Sequence, residues 1–216
     1  MSKTPQNNSS NIDNFLGLLV HSYNNHLAAM MGFTEIALLE CKQKSMRDKL
    51  NTVVSSGIEA VDLGNDILAS IGRLQIKMSQ IEIECLVEEI RTIKNASLSH
   101  SVNLEPKPTI QTNLIWFKDC IGDLVEFVNS YAKQADTKIF IELKSENKVV
   151  EIRIKSDIEL TDVESQNLFQ PFYSSRQLLD TKDLGLARAK GFFGQMHSTL
   201  CWKNNQGFFL QIPMND

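Results

Sequence analysis

The chain is short of several things, and each shortage removes a class of protein. Its four cysteines, Cys41, Cys85, Cys120 and Cys201, are widely scattered and form no Cys-x-x-Cys pair. Neither a zinc site nor a disulfide framework is therefore expected, and no metal site is assigned. Reduced, buried thiols of this kind fit a cytoplasmic protein. There is no basic excess, because 22 Lys and Arg stand against 26 Asp and Glu. That balance argues against a nucleic-acid groove. No apolar run approaches the roughly 20 residues of a membrane span, and the polar start resembles no secretory signal; no membrane partner is expected. What is present is an ordinary globular composition, 42% hydrophobic and 22% charged over 216 residues. That length allows one large or two modest domains with a core that needs no staples.

Residues 1–10 are polar and read as a disordered tail. Over 12–41, apolar residues fall at helical spacing (Phe15, Leu18, Leu19, Leu27, Met30, Met31, Ile36, Leu38, Leu39), and a second helical pattern covers 45–74. The short connection makes them antiparallel neighbours, a hairpin occupying 11–75. A lone hairpin cannot bury both apolar stripes, so dimerisation into a four-helix bundle is expected. Beyond Leu74 the pattern changes. A helix is expected over 83–98, a strand over 101–104, and a break at Pro106 and Pro108. Asn113 is placed to cap a helix running to about 135. Strands follow at 138–143 and 149–154, then a loop with Pro171, a helix over 184–196, and closing strands at 199–203 and 208–212. Residues 76–216 thus form an α+β sandwich with helices on one face of a mixed sheet.

Within the first helix, His21-Ser22-Tyr23-Asn24-Asn25 interrupts the apolar pattern. Asn and Ser are mediocre helix formers that belong at caps and turns. Such a cluster needs a structural partner, as a solvated or dimer-bridging patch, or a chemical use for the histidine. A neutral imidazole, with an ordinary pKa of about 6.5, carries a nucleophilic nitrogen that can accept a phosphoryl group. Asn25 lies one turn on along the same face. His26 points about 140° away from His21 and is assigned no role; His100 and His197 have no recognisable context. Phe192 and Phe193 read as helix burial.

In this order, the residues resemble the core of sensor histidine kinases. His21-Ser22-Tyr23-Asn24-Asn25 is similar to that family's H-box, His-Asp-Phe-Asn-Asn, with Gly32-Phe33-Thr34-Glu35 continuing like it. The stretch from Leu168 to Arg176, Leu-Phe-Gln-Pro-Phe-Tyr-Ser-Ser-Arg, is similar to the F-box, and Leu184-Gly185-Leu186-Ala187 to the end of the glycine-rich lid. The resemblance implies that His21 is the phosphoacceptor and that Asn25 orients water in receiver dephosphorylation. It also implies nucleotide positions, and these are degraded. On the Asn-Leu-x-x-Asn-Ala pattern of the magnesium-binding helix stand Asp123-Leu124-Val125-Glu126-Phe127-Val128, so the second asparagine is Phe127. Sliding the register by two would use Asn129 but would push Asp123 and Glu126 onto core positions. Where Asp-x-Gly-x-Gly recognises adenine, the chain reads Ser156-Asp157-Ile158-Glu159-Leu160, without the glycines that permit close backbone approach. The lid carries Lys182-Asp183, and only Gly185 remains. Ser22 stands where an acidic neighbour assists autokinases.

The resemblance therefore implies a degenerate ATPase-like sandwich, with no ATP or magnesium cofactor expected and no ATP-dependent autokinase activity expected. It points to a cytoplasmic, homodimeric histidine phosphotransfer protein of two-component phosphorelays, like those derived from kinases. His21 would pass phosphoryl groups between the aspartates of response-regulator or hybrid-kinase receiver domains. Two alternatives stay open: a divergent histidine kinase or receiver phosphatase that still binds ATP, and a non-enzymatic inhibitor that blocks a receiver or a kinase.

Overall fold

A computed structural model of the chain describes residues 6–102, 109–131, 139–146, 148–171, 173 and 184–214. Contacts divide it into two units, Met1–Leu74 and Gln75–Asp216. The first is a helical hairpin of α1 (Gln6–Glu40) and α2 (Lys44–Ser70). Arg47, in the first turn of α2, donates to the Leu38 and Cys41 carbonyls at 2.6 and 3.1 Å. It thereby satisfies acceptors that the end of α1 leaves open. At the other end of the hairpin, Arg73 Nη2 donates to Asn14 Oδ1 at 2.7 Å.

Two expectations are corrected in this unit. Residues 6–10 are helix and not a disordered tail, because extending an existing helix adds one hydrogen bond per residue fixed, whereas starting one does not; residues 1–5 lie outside the described residues. The second helix stops at Ser70 instead of running to 74. Gly72, with φ 68°, takes the left-handed conformation. Its N–H reaches the Ala69 carbonyl at 2.9 Å, and the Arg73 N–H reaches Leu68 at 2.8 Å, a Schellman closure.

The second unit holds a five-stranded sheet in the order β2-β4-β5-β7-β6, made of β2 (Ala96–Val102), β4 (Ile139–Glu146), β5 (Val149–Ile154), β6 (Thr199–Lys203) and β7 (Gly207–Pro213). β2 and β4 are parallel and the other neighbours antiparallel. A two-stranded ribbon joins β1 (Ser79–Glu82) to β3 (Thr109–Thr112). Period-two alternation sends Ile141, Leu143, Val150, Ile152, Ile154, Leu210 and Ile212 to one face. There they form one core with Leu86, Ile90, Phe117, Ile121, Leu124, Phe192 and Phe193 from α3 (Ile83–Arg91), α4 (Leu114–Tyr131) and α6 (Gly185–Gln195). The opposite face carries charged side chains beside Phe140 and Phe209. Its Lys155 lies 2.6 Å from Glu142, and that hydrogen bond holds the Glu142 carboxyl below the usual carboxylate range.

Asn113 caps α4 as expected: its Oδ1 accepts from the Trp116 N–H at 3.1 Å. The helix expected over 83–98 ends at Arg91, and Asn95 turns the chain through φ 60° into β2. The short helix α5 (Asp162–Asn167) lies where a loop was expected. A reciprocal capping box starts it. The Glu164 carboxylate accepts from the Thr161 N–H and hydroxyl at 2.9 and 2.7 Å, and the Glu164 N–H donates to Thr161 Oγ1 at 3.3 Å. Those bonds hold the Glu164 carboxyl below the usual range. A depressed folded-state pKa contributes stability above the ordinary glutamate pKa, and this is lost as pH falls through the lowered value. Glu164→Gln is therefore expected to lose less stability than the native protein between neutral pH and about pH 3, measured by urea unfolding at each pH.

Candidate functional site

The polar cluster of α1 sorts itself by helical geometry. Val20, Asn24, Leu27 and Met31 follow one another three or four residues apart and share a stripe, along which Val20 is buried and the other three half-buried. That stripe faces α2 across two glycines seven residues apart. A Cβ at Gly64 would lie 2.8 Å from Asn24 Oδ1 and 3.1 Å from Val20 Cγ1, and one at Gly57 would lie 2.7 Å from Met31 Cγ and Sδ. Asn24 thus belongs to the packing between the helices, and its Oδ1 is buried without a partner among the described residues. His21, Ser22, Tyr23, Asn25 and His26 are exposed. The hairpin therefore presents His21 and Asn25, one turn apart, to solvent.

The two glycines make a controlled test. Glycine-to-alanine in a helix interior ordinarily gains about 1 kcal/mol. At Gly57 the obstacle is the middle of the unbranched Met31 side chain, which can change rotamer, so Gly57→Ala is expected to cost less than Gly64→Ala. At Gly64 the obstacles are a β-branched side chain and the short Asn24, and overpacking costs about 1–3 kcal/mol. Gly64→Ala is expected to destabilise, and urea denaturation of the two variants side by side checks the contrast.

In the sandwich, the positions that the resemblance gives to a nucleotide are occupied by protein contacts. Asp123 on α4 accepts from Arg188 of α6 twice, from Nη2 at 2.6 Å and Nε at 3.0 Å, with about a fifth of each side chain exposed. Arg188 also lies over the Trp116 ring, 5.8 Å from its centroid. Phe127 turns inward and packs edge-on against Trp202 and Phe208, with centroids 5.9 and 5.6 Å apart. Phe169 of the F-box-like stretch joins the same cluster through Phe208 at 6.1 Å. Glu126 is exposed while Leu124, Val125 and Val128 are buried.

After β5, the Ser156 hydroxyl accepts from the Ile158 N–H at 3.2 Å, and Asp157 is exposed. Asn204 then grips the segment: its Oδ1 accepts from the Leu160 N–H and the Trp202 indole N–H at 3.1 and 2.9 Å, and its Nδ2 donates to the Leu160 carbonyl at 2.8 Å. Gly185 opens α6 with its Cα side against Asp123, where a Cβ would lie 3.0 Å from Asp123 Cγ.

Among the described residues, Asp123 and the Ser156–Asp157 pair line different clefts. Ser156 and Asp157 line a cleft of about 500 Å3 with Phe140, Arg153, Lys155 and Phe209. Asp123 lines another of about 560 Å3 with Lys118, Glu126, Asn129 and Arg188. Phe127 and Gly185 line neither. An acidic side chain already paired with a guanidinium, a half-buried ring packed on Trp202 and Phe208, and a glycine-free, clasped segment do not fit a magnesium nucleotide. Phe172, Ser174, Ser175, Arg176, Lys182 and Asp183 of the F-box-like and lid stretches lie outside the described residues.

Arg188 and Asn204 were not foreseen. A basic residue one turn into a helix has no distinctive signal in sequence, and Asn204 reads as an ordinary turn residue. Phe192 and Phe193 are fully buried as expected. His197 ends α6 in a left-handed conformation, φ 54°, a structural position. None of the four cysteines is in a disulfide. Among the described residues no three His, Cys, Asp or Glu side chains are grouped to hold a metal, and no helix is long and apolar enough to cross a membrane.

The architecture is that of a sensor histidine kinase core. Full-length ShkA, solved in complex with AMPPNP, superposes over 93% of this chain with a TM-score of 0.61 at 16% identity, and the chain spans 46% of its length. The Acinetobacter baumannii histidine kinase AdeS matches over 88% of this chain and 96% of its own, with a TM-score of 0.51 at 14% identity. The catalytic domain of histidine kinase ThkA matches 64% of this chain and 98% of its own, with a TM-score of 0.51 at 15% identity. No family model matches the sequence, and no curated protein matches it.

Proposed function

We propose that this protein acts in two-component signalling as a homodimeric histidine phosphotransfer protein, with His21 as the phosphoryl carrier and no nucleotide in its cycle. The observation that carries this reading is the contrast between the two units. His21 stands exposed on the hairpin, while the nucleotide positions of the sandwich are committed to internal contacts. The histidine kinase fold of the chain supports the setting.

The exposed apolar residues of the hairpin support a second copy. Ile12, Phe15, Leu18, Leu19, Met30, Phe33, Ile36 and Leu39 of α1 and Met46, Val53 and Ile58 of α2 are all more than 40% exposed in one chain. Among the described hairpin residues only Val20, Gly57, Gly64 and Ala69 are buried. Exposed apolar surface of that extent, at both ends of α1 and along α2, favours association.

In the proposed step, an unprotonated ring nitrogen of His21 attacks the phosphorus of a receiver's aspartyl phosphate. The N–P bond forms as the P–O bond to the carboxyl breaks, and the aspartate leaves as its carboxylate. The ring sheds the proton of its other nitrogen to water. Onward transfer runs the same exchange in reverse: a second receiver's carboxylate attacks, the N–P bond breaks and the ring takes a proton back. Asn25, one turn along, would orient a water or a phosphoryl oxygen.

The test incubates the protein with receiver domains phosphorylated by a small-molecule phosphoramidate, without nucleotide. Acid-labile label appearing on the protein supports the proposal. Self-labelling from Mg-ATP would replace it with the kinase reading, and label remaining on every receiver while signalling is blocked would replace it with the inhibitor.

A further inference from the structure

Beside the stripe that faces α2, helix α1 carries another that the hairpin leaves largely uncovered. Leu16, Leu19, Tyr23, His26, Met30 and Phe33 follow at alternating steps of three and four residues, the 3.5-residue period of a helix that winds around other helices. Leu16 is half-buried and His26 exposed, and Leu19, Tyr23, Met30 and Phe33 are each more than half exposed. No position of this stripe is Asp, Glu, Lys or Arg, so it fits an apolar helix and not an acidic or basic partner. It extends about 26 Å along α1, a length that another copy of this hairpin matches. His21 stands two residues from both Leu19 and Tyr23, about 160° round the helix from each, so covering the stripe leaves His21 open.

We propose that a second copy covers this stripe and that Tyr23 and His26, the only two of the six with polar tips, set the register in which the copies meet. This rests on the homodimer reading above. With a two-fold axis along the bundle, like residues of the two copies stand at one height. In register, the hydroxyl and imidazole groups of both copies therefore gather within about one helical turn, where each has donors and acceptors in reach. A slip of one heptad keeps the apolar period but sets Tyr23 and His26 at the height of Met30 and Phe33, or of Leu16 and Leu19. Each polar tip is then buried among apolar side chains without a partner. An all-apolar stripe would not discriminate between these alignments; polar positions cost affinity and secure one of them. Because the stripe lies away from His21, substitutions in it act on assembly and not on acceptance of a phosphoryl group.

The full chain is compared with Tyr23→Leu/His26→Leu by native mass spectrometry over a dilution series and by amide NMR of glycine-labelled protein. Gly57 and Gly64, packed between α1 and α2, report the alignment. The native protein is expected to be a dimer with one resonance for each glycine, and Leu19→Glu, with a charge in the stripe, a monomer. The double leucine variant is expected to dissociate at about tenfold lower concentration, yet to give several resonances per glycine or higher oligomers. Tyr23→Leu/His26→Asn is expected to recover a single set of resonances. A residue that merely packed would not give tighter association together with lost uniqueness. Weaker association of the double leucine variant, or a tight dimer with one resonance per glycine, would overturn the register role. A Leu19→Glu chain that stays dimeric would place the interface on another face and overturn the seam. A native chain that is monomeric throughout the dilution series would instead overturn the homodimer reading itself.

Discussion

Replacing His21 with alanine is expected to abolish acceptance of label from a phosphorylated receiver, a fall of at least about a thousandfold, the scale on which removing a reacting nucleophile acts. No neighbour can take over. Ser22 is a hydroxyl with no assigned base, Asn24 and Asn25 end in amides, and His26 is about 140° round the helix from His21. Because His21 is exposed, its truncation should change stability by no more than about 0.5 kcal/mol. Lost acceptance with an unchanged melting curve then reads chemistry and not unfolding. His26→Ala is the matched control and is expected to keep full acceptance. Asn25→Ala separates the acceptor from its neighbour: it is expected to accept label but to hold or release it at an altered rate. Persistent acid-labile label on His21→Ala would move the carrier elsewhere.

What the sequence revealed about this molecule depended on the range of the interactions. The hairpin, the Asn113 cap and the burial of Phe192 and Phe193 follow from periodicity and local hydrogen bonding, and those signals lie within a few residues. The H-box-like cluster was visible because it broke a period. The helix expected over 83–98 failed where a long-range term decided the outcome. Residues 96–102 pair in parallel with β4, a partner some 40 positions away that no local window contains, and the alternating serines at 97, 99 and 101 were the weak signal. The Thr161–Glu164 capping box is a local signal of α5, carried by two residues three apart. Asp123 is singled out in the sequence by the resemblance alone, whereas its partner Arg188 lies 65 residues on. The same holds for Phe127, whose partners Trp202 and Phe208 come from the final hairpin.

Gly207→Ala is expected to be the most damaging single methyl addition in the sandwich, costing on the order of 3–5 kcal/mol and visible as a large fall in the urea midpoint. Two effects add. Gly207 sits at φ 95°, outside the region an L side chain occupies comfortably, and that alone costs about 1–2 kcal/mol. The added Cβ would also run into the Ile154 carbonyl oxygen and crowd the Ser156 amide nitrogen. Unlike Met31 opposite Gly57, these are backbone atoms of the neighbouring strand and cannot swing aside. Relief would require β5 and β7 to part where Ile154 pairs with Phe208, and Phe208 anchors the ring cluster with Phe127, Trp202 and Phe169. The same movement would pull on the segment that Asn204 clasps at Leu160. The damage should therefore spread from the β6–β7 turn into the packing that fills the nucleotide positions, and near-ultraviolet circular dichroism of Trp202 should report it. A variant that melts within 1–2 °C of the native protein would show that this turn relaxes without moving β5, contrary to the close packing of sheet interiors.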